Sequence, residues 1–125
     1  MSKTAKLALI LPFLIGLAMT VLAIFQPDRL TDTLGGLAAT GPVGEASLRA
    51  DFVAYFATFT IGVAGALFAG KRGWLWAPLS LFGLTGIVRV LHGLFEGFAA
   101  GAFVPIAIEV VCCALIFYAM RSKPA

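Results

Sequence analysis

Thr85-Gly86-Ile87-Val88-Arg89-Val90-Leu91-His92-Gly93-Leu94-Phe95-Glu96 runs into a Gly/Ala-rich turn and then Pro105-Ile106-Ala107-Ile108-Glu109. An arginine, the chain's single histidine and two glutamates stand there in an almost wholly apolar background. Ionisable groups in hydrocarbon are expensive, so they are kept for pairing or for function. The turn divides two apolar runs, which read as consecutive antiparallel membrane helices with the charges between them.

Composition extends that reading to all 125 residues. The chain is 61% hydrophobic and 12% charged, with a mean hydropathy of +1.02. A soluble domain carries about 25% charged residues, so this composition specifies an all-α integral membrane protein. Its length suits one domain, residues 1–125. The net charge of +3 is small and its basic residues are dispersed. Nucleic-acid binding asks for a basic patch or stripe and is not expected.

Four spans are predicted, over about 7–25, 46–69, 74–98 and 103–120. The first, Leu7 to Phe25, is interrupted only by Pro12, Gly16 and Thr20. It exceeds the roughly 7–15 apolar residues of a signal peptide and is followed by Gln26-Pro27-Asp28-Arg29 rather than a clean cleavage site. It is therefore read as a span. Residues 26–47 form the longest polar segment. Pro27 to Leu34 suits a short interfacial helix ended by Gly35-Gly36, and Leu37 to Gly44 is small and flexible in composition, with Pro42 opening the next helix.

In the second span Asp51, Tyr55, Thr58 and Gly62 share a helical face, and Phe52, Phe56 and Phe59 form an aromatic stripe best read as packing or lipid contact. Trp74 and Trp76 follow the basic turn Gly70-Lys71-Arg72-Gly73, where an interfacial aromatic belt belongs. Gly93, Gly97 and Gly101, spaced by four, permit close helix approach or a flexible turn. Lys3, Lys6, Lys71, Arg72, Arg121 and Lys123 all fall on one side of this topology. The positive-inside rule then puts both termini in the cytoplasm, with a bacterial inner membrane as the expected location.

With this topology the remaining charges gather in one outer layer. Arg49 and Asp51 open the second span. Arg89 lies seven residues before the end at Glu96, and Glu109 lies four residues, about 6 Å, past Pro105. Arg89 and Glu109 thus lie at similar depth on antiparallel neighbours, which predicts an ion pair. Thr85, Arg89, His92 and Glu96 follow helical spacing and share a face. The candidate cluster is Arg49, Asp51, Tyr55, Arg89, His92, Glu96 and Glu109. It has two readings: a buried ion-pair network that sets helix register, or the lining of an outward-opening pocket between the last three spans. In a pocket, Arg89 or Arg49 would hold an anionic or carbonyl oxygen. His92, Glu96 and Glu109 are the candidates for moving a proton.

Cofactors and metals are not expected. One histidine does not supply a bis-His haem site. Cys112 and Cys113 are adjacent in an apolar run without metal spacing and read as small buried hydrophobes. No P-loop, dinucleotide fingerprint or nucleophile elbow occurs.

At Leu48-Arg49-Ala50-Asp51, Arg89 with Glu96-Gly97, and Pro105-Ile106-Ala107-Ile108-Glu109, the chain resembles an uncharacterised family of small four-helix bacterial membrane proteins with a domain of unknown function. The likeness spans nearly the whole chain. It implies a four-helix fold and a polar site at these positions and carries no activity with it. Where that family often has Gly-Gly, this chain has Val53-Ala54-Tyr55-Phe56, so a close helix approach is not carried over there.

The sequence therefore specifies a four-helix membrane bundle, N-in and C-in. The leading expectation is a small membrane protein that binds a lipophilic molecule, a membrane lipid or a protein partner through the outer cluster. The alternatives are a membrane-embedded acid–base enzyme of isomerase type and a structural or accessory subunit. Its Phe- and Gly-rich faces permit a homo-oligomer or a place in a larger membrane complex.

Overall fold

The computed structural model describes residues 1–33 and 41–122. Among them are five α-helices and no strand: α1 (Lys3–Phe25), α2 (Pro27–Thr33), α3 (Gly41–Ala69), α4 (Trp76–Glu96) and α5 (Phe103–Arg121). Short 3-10 turns, Arg72–Leu75 and Ala100–Ala102, lead into α4 and α5. The expected stop at Gly35-Gly36, the flexible stretch up to Thr40, and Lys123 lie outside the described residues.

Local chemistry sets the helix ends. The Ser2 hydroxyl accepts from the Ala5 amide at 3.2 Å and caps α1, so this helix begins four residues before the apolar run. Gly41 and Pro42 let α3 start five residues earlier than its apolar content suggests, because proline fits the first turn. Gly97, at φ +94°, ends α4 two residues before the expected limit, and its amide returns to the Gly93 carbonyl at 2.9 Å.

α1 packs on α3 and α5, and α4 packs on the same two helices. The ring order is therefore α1, α3, α4, α5, with every adjacent pair antiparallel. Including the 3-10 turns, four helices of 23, 29, 25 and 22 residues are long and apolar enough to cross a membrane. At about 1.5 Å per residue each spans at least the roughly 30 Å hydrocarbon thickness. Large apolar side chains cover the outside, among them Leu7, Leu14, Phe25, Ile61, Phe68, Leu84, Leu94, Phe95 and Phe117.

The end holding the N-terminus, the 70–75 turn and the end of α5 is tightly filled. Leu9, Val63, Ala66, Leu75, Ile116 and Ala119 are fully buried there. Near mid-bundle, the Phe59 and Phe82 rings stack at 3.9 Å between centroids. Gly16 permits this packing: a Cβ there would lie 2.5 Å from Thr60 Oγ1 and 2.7 Å from the Phe59 ring. The Thr20 and Thr60 hydroxyls donate to the Gly16 and Phe56 carbonyls, each at 2.7 Å, so neither is stranded in the core. Phe56 and Phe59 are buried, as packing residues should be, and Thr58 is exposed.

The Gly93 spacing has a local role rather than one in helix–helix contact. Past Gly97 the chain doubles back and lays the Phe98 ring over Gly93, where any side chain would collide with it. Phe98 in turn stacks on Phe103 at 5.3 Å and closes the turn.

Candidate functional site

Arg89 and Glu109 meet, as their matching depths predict. Arg89 Nε lies 2.6 Å from Glu109 Oε1. The Nε–H is not aligned on that oxygen, so the contact is an ion pair rather than a well-formed hydrogen bond. Neighbouring antiparallel helices bring the two groups together: α4 supplies the cation and α5 the anion. The Glu109 side chain is 7% exposed and the Arg89 side chain 31%. The carboxylate thus sits in the protein while the guanidinium reaches its edge. The second oxygen, Glu109 Oε2, is buried and has no hydrogen-bond partner among the described residues.

A second polar contact ties α3 to α4 one turn away. The Tyr55 hydroxyl lies 2.7 Å from Thr85 Oγ1 and 2.9 Å from the Leu81 carbonyl, and Thr85 Oγ1 lies 2.7 Å from the same carbonyl. One hydroxyl donates to the other and the remaining proton goes to Leu81, so the trio is internally satisfied.

Between these contacts the bundle forms a partly open cavity of about 240 Å³. Met19 of α1 closes one side. Asp51, Phe52, Tyr55 and Phe56 come from α3, Phe82, Thr85 and Arg89 from α4, and Pro105, Ile108 and Glu109 from α5. The wall is mainly apolar and aromatic, with Arg89, Glu109, Tyr55, Thr85 and Asp51 as its polar points. Mostly apolar concavities with a few convergent polar groups are the usual form of a small-molecule site.

Of the seven candidates, four line the cavity: Asp51, Tyr55, Arg89 and Glu109. Arg49, His92 and Glu96 are exposed and outside the lining. None of Arg49, Asp51, His92 and Glu96 makes an ion pair with a described residue, so the expected Arg49–Asp51 or Arg49–Glu96 pair is not formed. His92 and Glu96 do share an angular face with Arg89. They lie three and seven residues farther along α4, about 4.5 and 10 Å, which carries them past the cavity. The histidine and the two glutamates are therefore not assembled into one acid–base group. Cys112 and Cys113 are free thiols, the first buried and the second half-buried. Among the described residues no three His, Cys, Asp or Glu side chains are grouped to hold a metal.

Sequence reasoning missed the contributions of Met19, Phe82 and Ile108. Thr85 was expected on the Arg89 face, but its bond to Tyr55 was not. A helical pattern gives the angle of each residue on its own helix, and the facing residue on a neighbour depends on crossing geometry that one chain's periodicity does not contain. No protein-family model matches the chain, nor does any curated protein or any solved structure.

Proposed function

We propose that the chain is an integral membrane protein that retains a lipophilic molecule in the cavity between its four long helices, with an oxygen on that molecule held by Arg89. The observation carrying this reading is the cavity itself: a mainly apolar chamber with a partly exposed Arg89 side chain on its wall. Guanidinium carries five N–H donors, and the contact through Nε does not exhaust them. A carbonyl, hydroxyl or anionic oxygen would accept from the others while its apolar body rested on Phe52, Phe56 and Phe82.

In this reading both termini and the 70–75 turn face the cytoplasm of a bacterial inner membrane, and the cavity lies in the outer half. The basic residues Lys3, Lys6, Lys71, Arg72 and Arg121 at one end support that orientation. The apolar outer surface supports insertion.

A second reading, a scaffold or accessory subunit whose buried charges set helix register, is favoured by the direct Arg89–Glu109 contact. The isomerase alternative has less support, because His92 and Glu96 stand outside the cavity lining.

Native mass spectrometry of the detergent-purified protein beside Arg89→Ala separates the two readings. The wild type is expected to carry a discrete small molecule or lipid that the variant has lost. Identical ligand-free spectra from both would overturn the binding reading and leave the scaffold.

A further inference from the structure

Asp51 stands on the cavity wall with no hydrogen-bond or ion-pair partner among the described residues. Arg49 does not balance it. Residues two apart on a helix do not face each other, and Arg49 lies outside the cavity lining.

The helix register puts Asp51 opposite a second charged group. The Tyr55 and Thr85 hydroxyls meet at 2.7 Å and align α3 with the antiparallel α4. One turn from that contact, toward the turn between α4 and α5, lie Asp51 on α3 and Arg89 on α4, each about 6 Å farther along its helix. Both line the cavity, yet Arg89 pairs with Glu109 and not with Asp51. The cavity therefore separates a neutral ion pair on one wall from a lone carboxylate on another.

Charge selects what fits between them. By formal charge the lining holds one cation, Arg89, and two anions, Asp51 and Glu109, which leaves one net negative charge. Asp51 is exposed, and an exposed carboxylate is solvated by water. An occupant displaces that water, and a carboxylate covered without a counter-charge is costly. An ammonium group restores the balance at Asp51, with a hydrogen bond of the stronger, charge-assisted kind. Phe52 and Tyr55 in the same wall add aromatic surface, which attracts cations through the ring quadrupole. At Arg89 the same balance disfavours an anionic oxygen, which would bring the net negative charge back. An uncharged hydroxyl or carbonyl suits that position.

We infer that the molecule retained in the cavity is a lipophilic amine with an uncharged oxygen close to its nitrogen: the ammonium on Asp51, the oxygen on Arg89 and the apolar body against Phe56 and Phe82. This inference rests on the proposed function and names the ligand class of the same cavity.

The test uses the full chain in phosphatidylcholine nanodiscs, with empty nanodiscs as the partition control and binding read by fluorine NMR. The probe is 4-fluorophenylalaninol, which carries an ammonium, a hydroxyl and an aromatic body. Its comparators are the alcohol with methyl in place of ammonium, the amine without the hydroxymethyl group, and zwitterionic 4-fluorophenylalanine. The amino alcohol is expected to bind at least about tenfold tighter than the uncharged alcohol, the weight of one charge-assisted hydrogen bond. It should also bind more tightly than the other two. Asp51→Asn should remove the preference for the amine, and Asp51→Glu should keep it. Glu96→Gln should keep it too, because it removes a negative charge outside the lining. Circular dichroism and elution check that each variant is folded.

Equal binding of the amino alcohol and the uncharged alcohol would overturn the inference. So would a preference that survives in folded Asp51→Asn or disappears in Glu96→Gln, tighter binding of the zwitterion, or no binding of any probe. A tie between the amines with and without hydroxyl would overturn the oxygen at Arg89. Native mass spectrometry keeps this separate from the proposed function. A retained, Arg89-dependent molecule without a basic nitrogen overturns the amine and leaves that reading standing, whereas a wild type with no retained molecule and no bound probe overturns both.

Discussion

At the end of the bundle that holds the N-terminus and the end of α5, Leu9, Val63, Leu75 and Ile116 leave no water-accessible surface. At the other end the same four helices surround a cavity faced by Phe52, Tyr55, Arg89 and Glu109. The Phe59–Phe82 stack divides them. Apolar cores of small domains close up because voids forfeit contacts. A hollow end in a short bundle, with an ion pair in its wall, is what the proposed binding reading requires. In that reading the filled end carries stability and the hollow end carries binding. Substitutions should separate the two.

The largest effect is expected from Phe59→Ala, at the stack that divides the two ends. Phe59 is fully buried against Phe82 and Gly16. Truncation should cost about 3–5 kcal/mol, read by denaturant unfolding in detergent micelles. A loss of no more than about 1 kcal/mol, the size of an ordinary point change, would mean that the stack is not the divider we describe.

Glu109→Leu should cost a similar amount, about 3–5 kcal/mol, for a different reason: it leaves Arg89 without its counter-charge. Adding Arg89→Met should restore most of that loss, because two well-packed apolar residues replace a pair that contributes little net stability. If the double change costs as much as the two singles added together, the groups do not act as a pair.

Tyr55→Phe should cost about 1 kcal/mol by removing the hydrogen bonds to Leu81 and Thr85. Thr85 keeps the Leu81 carbonyl as its own acceptor and is not stranded. The smallest effect, within about 0.5 kcal/mol, is expected for His92→Ala, because the side chain is exposed and outside the cavity. A large destabilisation by His92→Ala would show that the boundary of the hollow end has been drawn too close to Arg89.

These two ends were not equally legible in the sequence. Hydropathy located all four long apolar helices, because apolar length is a property of each segment alone. The Arg89–Glu109 pair was legible too: depth can be counted from the turn, and two charges at one depth on adjacent helices have strong reason to meet. Rotation about the helix axis was less accessible. Angular spacing joined His92 and Glu96 to Arg89, but the rise along α4 carries them past the cavity. The start of α1 at Lys3 was hidden because a Ser2 cap works through one hydroxyl and leaves no trace in hydropathy. Met19 was hidden because only the packing of α1 against the other helices brings it to the cavity.

The central claim is that the Arg89–Glu109 pair serves binding at the hollow end rather than register alone. It is tested most directly in the double variant Arg89→Met/Glu109→Leu, with unfolding and ligand retention measured on one preparation. The account predicts a bundle of near wild-type stability whose native mass spectrum has lost the retained molecule. A stable double variant that keeps the molecule, or a wild type that never held one, would contradict it.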